Sequence, residues 1–141
     1  MRPISNVVVL GANGAMGAAS GALFALAGLP TVFLARTLER AEAGRAKAVA
    51  LTKGKLATDA IGIGTYAELA QIEKADLVFE AVREDEAVKR ELFETLDQLR
   101  GPTTIVASVT SGISIARLCA GRSAAFRAHF LGVHLFNPPT R

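Results

Sequence analysis

The chain has 141 residues, half of them hydrophobic, and 16 Lys and Arg against 13 Asp and Glu leave a formal charge of +3. That is enough for one domain with a real core and too little for two of ordinary size. Residues 3–35 carry no charge, but Gly11, Gly14, Gly17, Gly21, Gly28 and Pro30 interrupt them, so neither a membrane span nor a signal peptide is expected and the protein reads as cytoplasmic.

Residues 6–10 form a short β-branched run and predict the first strand. Glycines follow, and then the small, apolar residues 16–27, which suit a helix packed closely on a sheet. Thr31–Ala35 is the next strand, and residues 38–50, rich in Ala, Glu, Arg and Lys, the next helix. A polar connection over 53–59 leads to a short strand at 61–64 and a short helix at 66–72. Residues 76–82 read as a strand whose apolar centre is bounded by acids. Val88, Leu92, Leu96 and Leu99 recur at helical spacing and predict an amphipathic helix over Glu86–Leu99, with Glu84, Asp85 and Glu86 complementing its dipole. After Gly101-Pro102 come a strand at 103–108, a short helix at 114–119 and a last strand at 130–133 that ends at His134. Strands alternating with helices predict an α/β fold of Rossmann-like, doubly wound form: a mainly parallel sheet with helices on both faces.

The single cysteine, Cys119, has no partner for a disulfide and none at metal-ligand spacing, so no metal site is expected. Lys and Arg are scattered and Trp is absent, which argues against a nucleic-acid partner. The last acid is Asp97; residues 98–141 carry arginines at 100, 117, 122, 127 and 141 and no carboxylate.

Gly11, Ala12, Asn13, Gly14, Ala15, Met16 and Gly17 follow the first strand and open the first helix. A dinucleotide-binding turn needs this context: a tight turn, close backbone approach to a pyrophosphate, and a helix N-terminus facing the anion. The spacing, G-x-x-G-x-x-G, is one residue longer than the commoner pattern. Where the second strand normally offers an acid to the adenosine ribose, the chain has Ala35-Arg36-Thr37. Arg36 suits a 2′-phosphate and so favours NADP; as a solvated loop arginine it would favour neither cofactor.

Further blocks complete a pattern: Phe79-Glu80-Ala81-Val82-Arg83-Glu84-Asp85 with Lys89-Arg90, then Ala107-Ser108-Val109-Thr110-Ser111, then Gly132-Val133-His134-Leu135-Phe136-Asn137-Pro138. Together with the glycine turn, these blocks resemble the nucleotide-binding domain of the 3-hydroxyacyl-CoA dehydrogenases, in the family's order and over nearly the whole chain. The resemblance implies NAD-dependent, reversible oxidation of (S)-3-hydroxyacyl-CoA to 3-oxoacyl-CoA, a step of fatty acid β-oxidation. It implies His134 as the general base and Ser111 as the hydroxyl that bonds the reacting oxygen. Glu84, Lys89 and Asn137 match positions that touch the cofactor, and residues 11–17 the pyrophosphate loop. It also implies an acyl-CoA substrate, a separate C-terminal helical domain and a homodimer.

The chain departs from the family at several points. Val109 stands in a Ser-x-Thr-Ser block that usually carries Asn, Arg36 replaces the ribose-binding aspartate, and the arm between the second and third strands is short. The family's glutamate that orients the histidine falls a dozen residues beyond it, whereas seven residues follow His134 here. Residues 1–141 are therefore expected to be the front domain of a longer enzyme, competent to bind the cofactor but poorly active alone. A nucleotide-binding regulatory module without chemistry, and another Rossmann hydroxyacid dehydrogenase, share the front half of the pattern. Residues 112–116 approach a hydrolase nucleophile elbow, but no acid lies between Ser114 and the histidine.

Overall fold

The structure is a computed structural model that describes residues 2–136. Six strands form one sheet: β1 (Val7–Leu10), β2 (Thr31–Ala35), β3 (Ile61–Thr65), β4 (Leu77–Glu80), β5 (Ile105–Ser108) and β6 (Phe130–Gly132). Every pairing is parallel and the spatial order is β3-β2-β1-β4-β5-β6. This is the doubly wound, Rossmann-like arrangement that the alternating pattern predicts. The strand order reverses between β1 and β4, and the carboxyl ends of these two strands open the crevice where such sheets bind ligands.

Helices cover both faces, so β1 and β4 are buried along their whole length and read as continuous apolar runs. Val7, Val9, Phe33, Leu77 and Phe79 point to one face, with the buried side of α1 (Ala15–Leu26) and α2 (Leu38–Leu51). Val8, Leu10, Leu34, Val78 and Val106 point to the other. That second face carries a 3-10 segment (Tyr66–Lys74), α3 (Glu86–Leu99), α4 (Ile115–Leu118) and α5 (Ala124–Ala128). Burying each large side chain of these two layers contributes about 1.5–3 kcal/mol.

Three details differ from the sequence reading. The strand expected over 76–82 is confined to Leu77–Glu80. Asp76 turns aside to accept from the Ser5 N–H and hydroxyl, and its own N–H donates to Asn6. The helix expected at 66–72 is a longer 3-10 segment, started by a capping box in which Thr65 and Glu68 satisfy each other's backbone N–H. α5 was not expected, since five residues are too few for a periodic signal. Ser123 caps it through the Phe126 N–H and is itself tied to Asp97 on α3, and Phe126 packs with Phe93 and Phe130 at centroid distances of 5.9 and 5.2 Å.

Candidate functional site

The turn after β1 is compressed from two sides. Ala81 N–H donates to Leu10 O at 2.8 Å, so the chain leaving β4 crosses directly beside Gly11, whose φ of +80° is open to glycine. A Cβ on Gly11 would collide with the Ala81–Val82 backbone. A Cβ on Gly17 would lie 2.5 Å from Gly11 O and 2.8 Å from Ala12 Cα, so α1 can approach the turn only without one. Gly14 is different. It is the N-cap of α1, makes no side-chain cap, and its Cβ would meet nothing nearer than Gly11 O at 3.6 Å. The protein itself has no need of glycine at 14; the bare backbone there faces outward, beside a helix N-terminus whose first turn holds no acid.

α2 braces this turn, which the sequence reading missed. A Cβ on Gly44 would lie 2.8 Å from both Ala12 C and O, and Lys47 Nζ donates to Asn13 O at 2.5 Å. Arg40, Gly44 and Lys47 follow one another at helical spacing, the signal that could have placed all three on one face of α2.

From the turn a groove of about 840 Å³ runs across the carboxyl ends of β1, β2 and β4. Gly11, Asn13 and Gly14 form one end, and Arg36, Arg40 and Tyr66 line it beside the end of β2. Val88, Glu91, Leu92 and Thr95 of α3 form the opposite wall. Burial raises the Tyr66 phenol above its ordinary pKa, while the positive charges of Arg36 and Arg40 pull it back.

On the other side of the crevice lies a buried charge network. Lys89 and Glu80 are both fully buried, with Lys89 Nζ 2.9 and 3.2 Å from the two carboxylate oxygens. The Ser108 hydroxyl and the Val82 N–H also donate to Glu80. Burial pushes the Glu80 carboxyl up, and Lys89, Ser108 and Val82 oppose that. Lys89 reaches Val109 O at 3.4 Å and lies 3.7 Å from Glu84. Glu84 in turn accepts from the Thr110 hydroxyl at 2.8 Å and from Ser111 N–H at 3.0 Å. Partial burial would raise Glu84, but Ser111, Thr110, Lys89 and Gly112 outweigh it and hold the carboxyl below its usual range. The Lys89 ammonium thus lies buried among Glu80, Glu84 and Val109 O.

Ser108 pairs with Gly132 in the sheet, and Val133 N–H donates to Ser108 O at 2.9 Å. Ser111 and His134 thus leave adjacent parallel strands at the same end of the sheet, both exposed. The His134 ring meets Phe136 edge-on at 6.0 Å and, among the described residues, has no hydrogen-bond partner. Asn137 lies outside the described residues.

Residues 6–141 match the family model "3-hydroxyacyl-CoA dehydrogenase, NAD binding domain". The chain belongs to this family. A 3-hydroxybutyryl-CoA dehydrogenase of Mycobacterium tuberculosis is 36% identical over 146 residues, covering 96% of this chain and 50% of that protein. A probable 3-hydroxyacyl-CoA dehydrogenase of Deinococcus radiodurans is 32% identical, covering 96% and 42%. Among solved structures, the (S)-3-hydroxybutyryl-CoA dehydrogenase of Ralstonia eutropha superposes with a TM-score of 0.82 at 30% identity, covering 96% of this chain and 50% of that one. The chain thus spans half or less of the length of these relatives. The family makes it a nicotinamide dinucleotide-binding domain of the oxidoreductase class. Among the described residues no helix is long and apolar enough to cross a membrane.

Proposed function

We propose that residues 1–141 are the dinucleotide-binding domain of a 3-hydroxyacyl-CoA dehydrogenase that interconverts (S)-3-hydroxyacyl-CoA and 3-oxoacyl-CoA in the cytoplasm, as a step of fatty acid β-oxidation. The bare backbone at Gly14 and the α1 N-terminus hold the pyrophosphate, and the groove beyond holds the adenosine. The bound nicotinamide supplies the acceptor for the substrate's hydride. His134 takes the proton of the 3-hydroxyl, a task suited to imidazole because its unperturbed pKa lies near neutrality. The Ser111 hydroxyl bonds the reacting oxygen. Glu84 and Lys89 act by holding the loop that carries Ser111. The acyl-CoA substrate is completed by contacts from a C-terminal helical domain of the same protein, which also forms a homodimer interface.

The observation that supports this reading is the parallel β5–β6 pairing: Ser111 and His134 follow these two strands at the same edge of the sheet as the glycine turn after β1. The 141 residues alone should bind dinucleotide with little turnover, because among the described residues no carboxylate orients His134. In the full-length protein, His134→Ala should lower kcat for acetoacetyl-CoA reduction by about 10²-fold or more and leave the dinucleotide Kd within about twofold. A purely regulatory nucleotide-binding module predicts that the same substitution leaves the rate unchanged, and that result would sink the catalytic assignment.

A further inference from the structure

We infer that the groove beside β2 is built for the 2′-phosphate of NADP, with Arg36, Arg40 and Thr37 as its phosphate-binding groups and Tyr66 at its edge. This rests on the dinucleotide reading of the glycine turn and adds which dinucleotide is taken.

The chemistry at the end of β2 decides between the two cofactors. A carboxylate there accepts hydrogen bonds from the two ribose hydroxyls of NAD and repels a 2′-phosphate, whereas a guanidinium does the reverse. The strand ends at Ala35, and Arg36 stands immediately beyond it in the groove wall. Arg40 lines the same wall from the first turn of α2. Among the described residues neither guanidinium forms an ion pair. Several other arginines are occupied: Arg2 by Asp76, Arg83 by Asp85, Arg117 by Glu86, and Arg90 and Arg100 by backbone carbonyls. Two guanidiniums without an ion pair on one groove wall suit a phosphate dianion, which each can bind in bidentate fashion.

The helix itself points the same way. The first turn of α2 carries Glu39, which complements the dipole, next to Arg40, which the dipole opposes and a bound anion would offset. Thr37 caps that helix by accepting the Arg40 N–H at 3.3 Å, which leaves its hydroxyl proton free to donate outward. The carboxylate that lines the groove, Glu91, belongs to the opposite wall on α3.

Titration of the 141-residue chain with NADPH and NADH, followed by calorimetry and by cofactor fluorescence, tests this without reference to turnover. NADPH should bind at least about tenfold more tightly than NADH, and 2′,5′-ADP should compete more strongly than 5′-AMP. Arg36→Ala with Arg40→Ala should remove the difference by weakening NADPH alone, and Arg36→Asp should reverse it. Both side chains are exposed, and an unchanged circular dichroism spectrum confirms the fold of each variant. Equal or tighter binding of NADH, or a preference that survives the double substitution, overturns the 2′-phosphate assignment while leaving the dinucleotide site in place. Failure of both cofactors to bind overturns the dinucleotide site itself.

Discussion

Gly14 and Gly17 lie three residues apart on one turn and answer to different neighbours. At Gly17 a methyl group would press into Gly11 O and Ala12 Cα. Gly17→Ala should therefore destabilise the fold by about 1–3 kcal/mol, the usual cost of overpacking, measured as a lower denaturation midpoint. At Gly14 the backbone is extended, with φ −82° and ψ 163°, and a methyl group has room. Gly14→Ala should leave stability within about 0.5 kcal/mol and weaken dinucleotide binding about tenfold or more, read by calorimetry. A melting shift at Gly14 as large as that at Gly17 would mean that the position serves the fold and not a ligand. The sequence spacing marks all three glycines alike, and only the packing around them separates the structural pair from the open one.

At the scale of elements, the Glu80–Lys89 pair ties the end of β4 to α3, and through Ser108, Val109 and Glu84 to the end of β5. Removing one partner leaves the other charge buried without compensation. Lys89→Met should cost about 3–5 kcal/mol, and Glu80→Gln with Lys89→Met should cost clearly less than the single change, in paired chemical denaturation curves. If the double variant is the weaker of the two, the pair is not the source of the loss. This network was not legible in the sequence. Glu80 sits in a strand and Lys89 on a helix whose other charges are exposed or half-buried, and nothing in their spacing says that the sheet order brings them within 3 Å. The long elements were legible, because Glu86–Leu99 repeats its apolar residues with helical period and β1, β2 and β4 are short, mainly apolar runs. α5 was not, since its helix rests on a cap from Ser123 and on aromatic contacts supplied by distant residues.

For the molecule as a whole, three carboxylates sit below their ordinary values. Asp76 is held down chiefly by its two hydrogen bonds from Ser5. Glu84 and Asp97 are first raised by partial burial, which bonds from Ser111 and Thr110, and from Ser123, outweigh. A depressed carboxyl adds stability above its unfolded pKa, near about 4, and that stability is lost as pH falls through the lower folded value. Glu80, raised by burial, works in the opposite sense. The Asp97→Asn variant should therefore melt below the wild type at pH 7, and the gap should close by about pH 2. A gap that is constant with pH would show that the loss comes from the altered side chain and not from the charge. The fold class followed from the alternating strand and helix blocks, because those are contiguous in sequence. The groove walls did not, since they are gathered from β2, α2, the 3-10 segment and α3.

The contact between Gly44 and Ala12 acts as a ruler. It clamps α2 against the turn, so the distance from Gly14 to Arg40 is set by backbone touching backbone and not by any side chain that a substitution could lengthen. Residues 36 and 40, both exposed, can then be exchanged without moving the turn. Under the proposed 2′-phosphate assignment, cofactor preference in such a scaffold is a detachable property that selection can rewrite at two exposed positions.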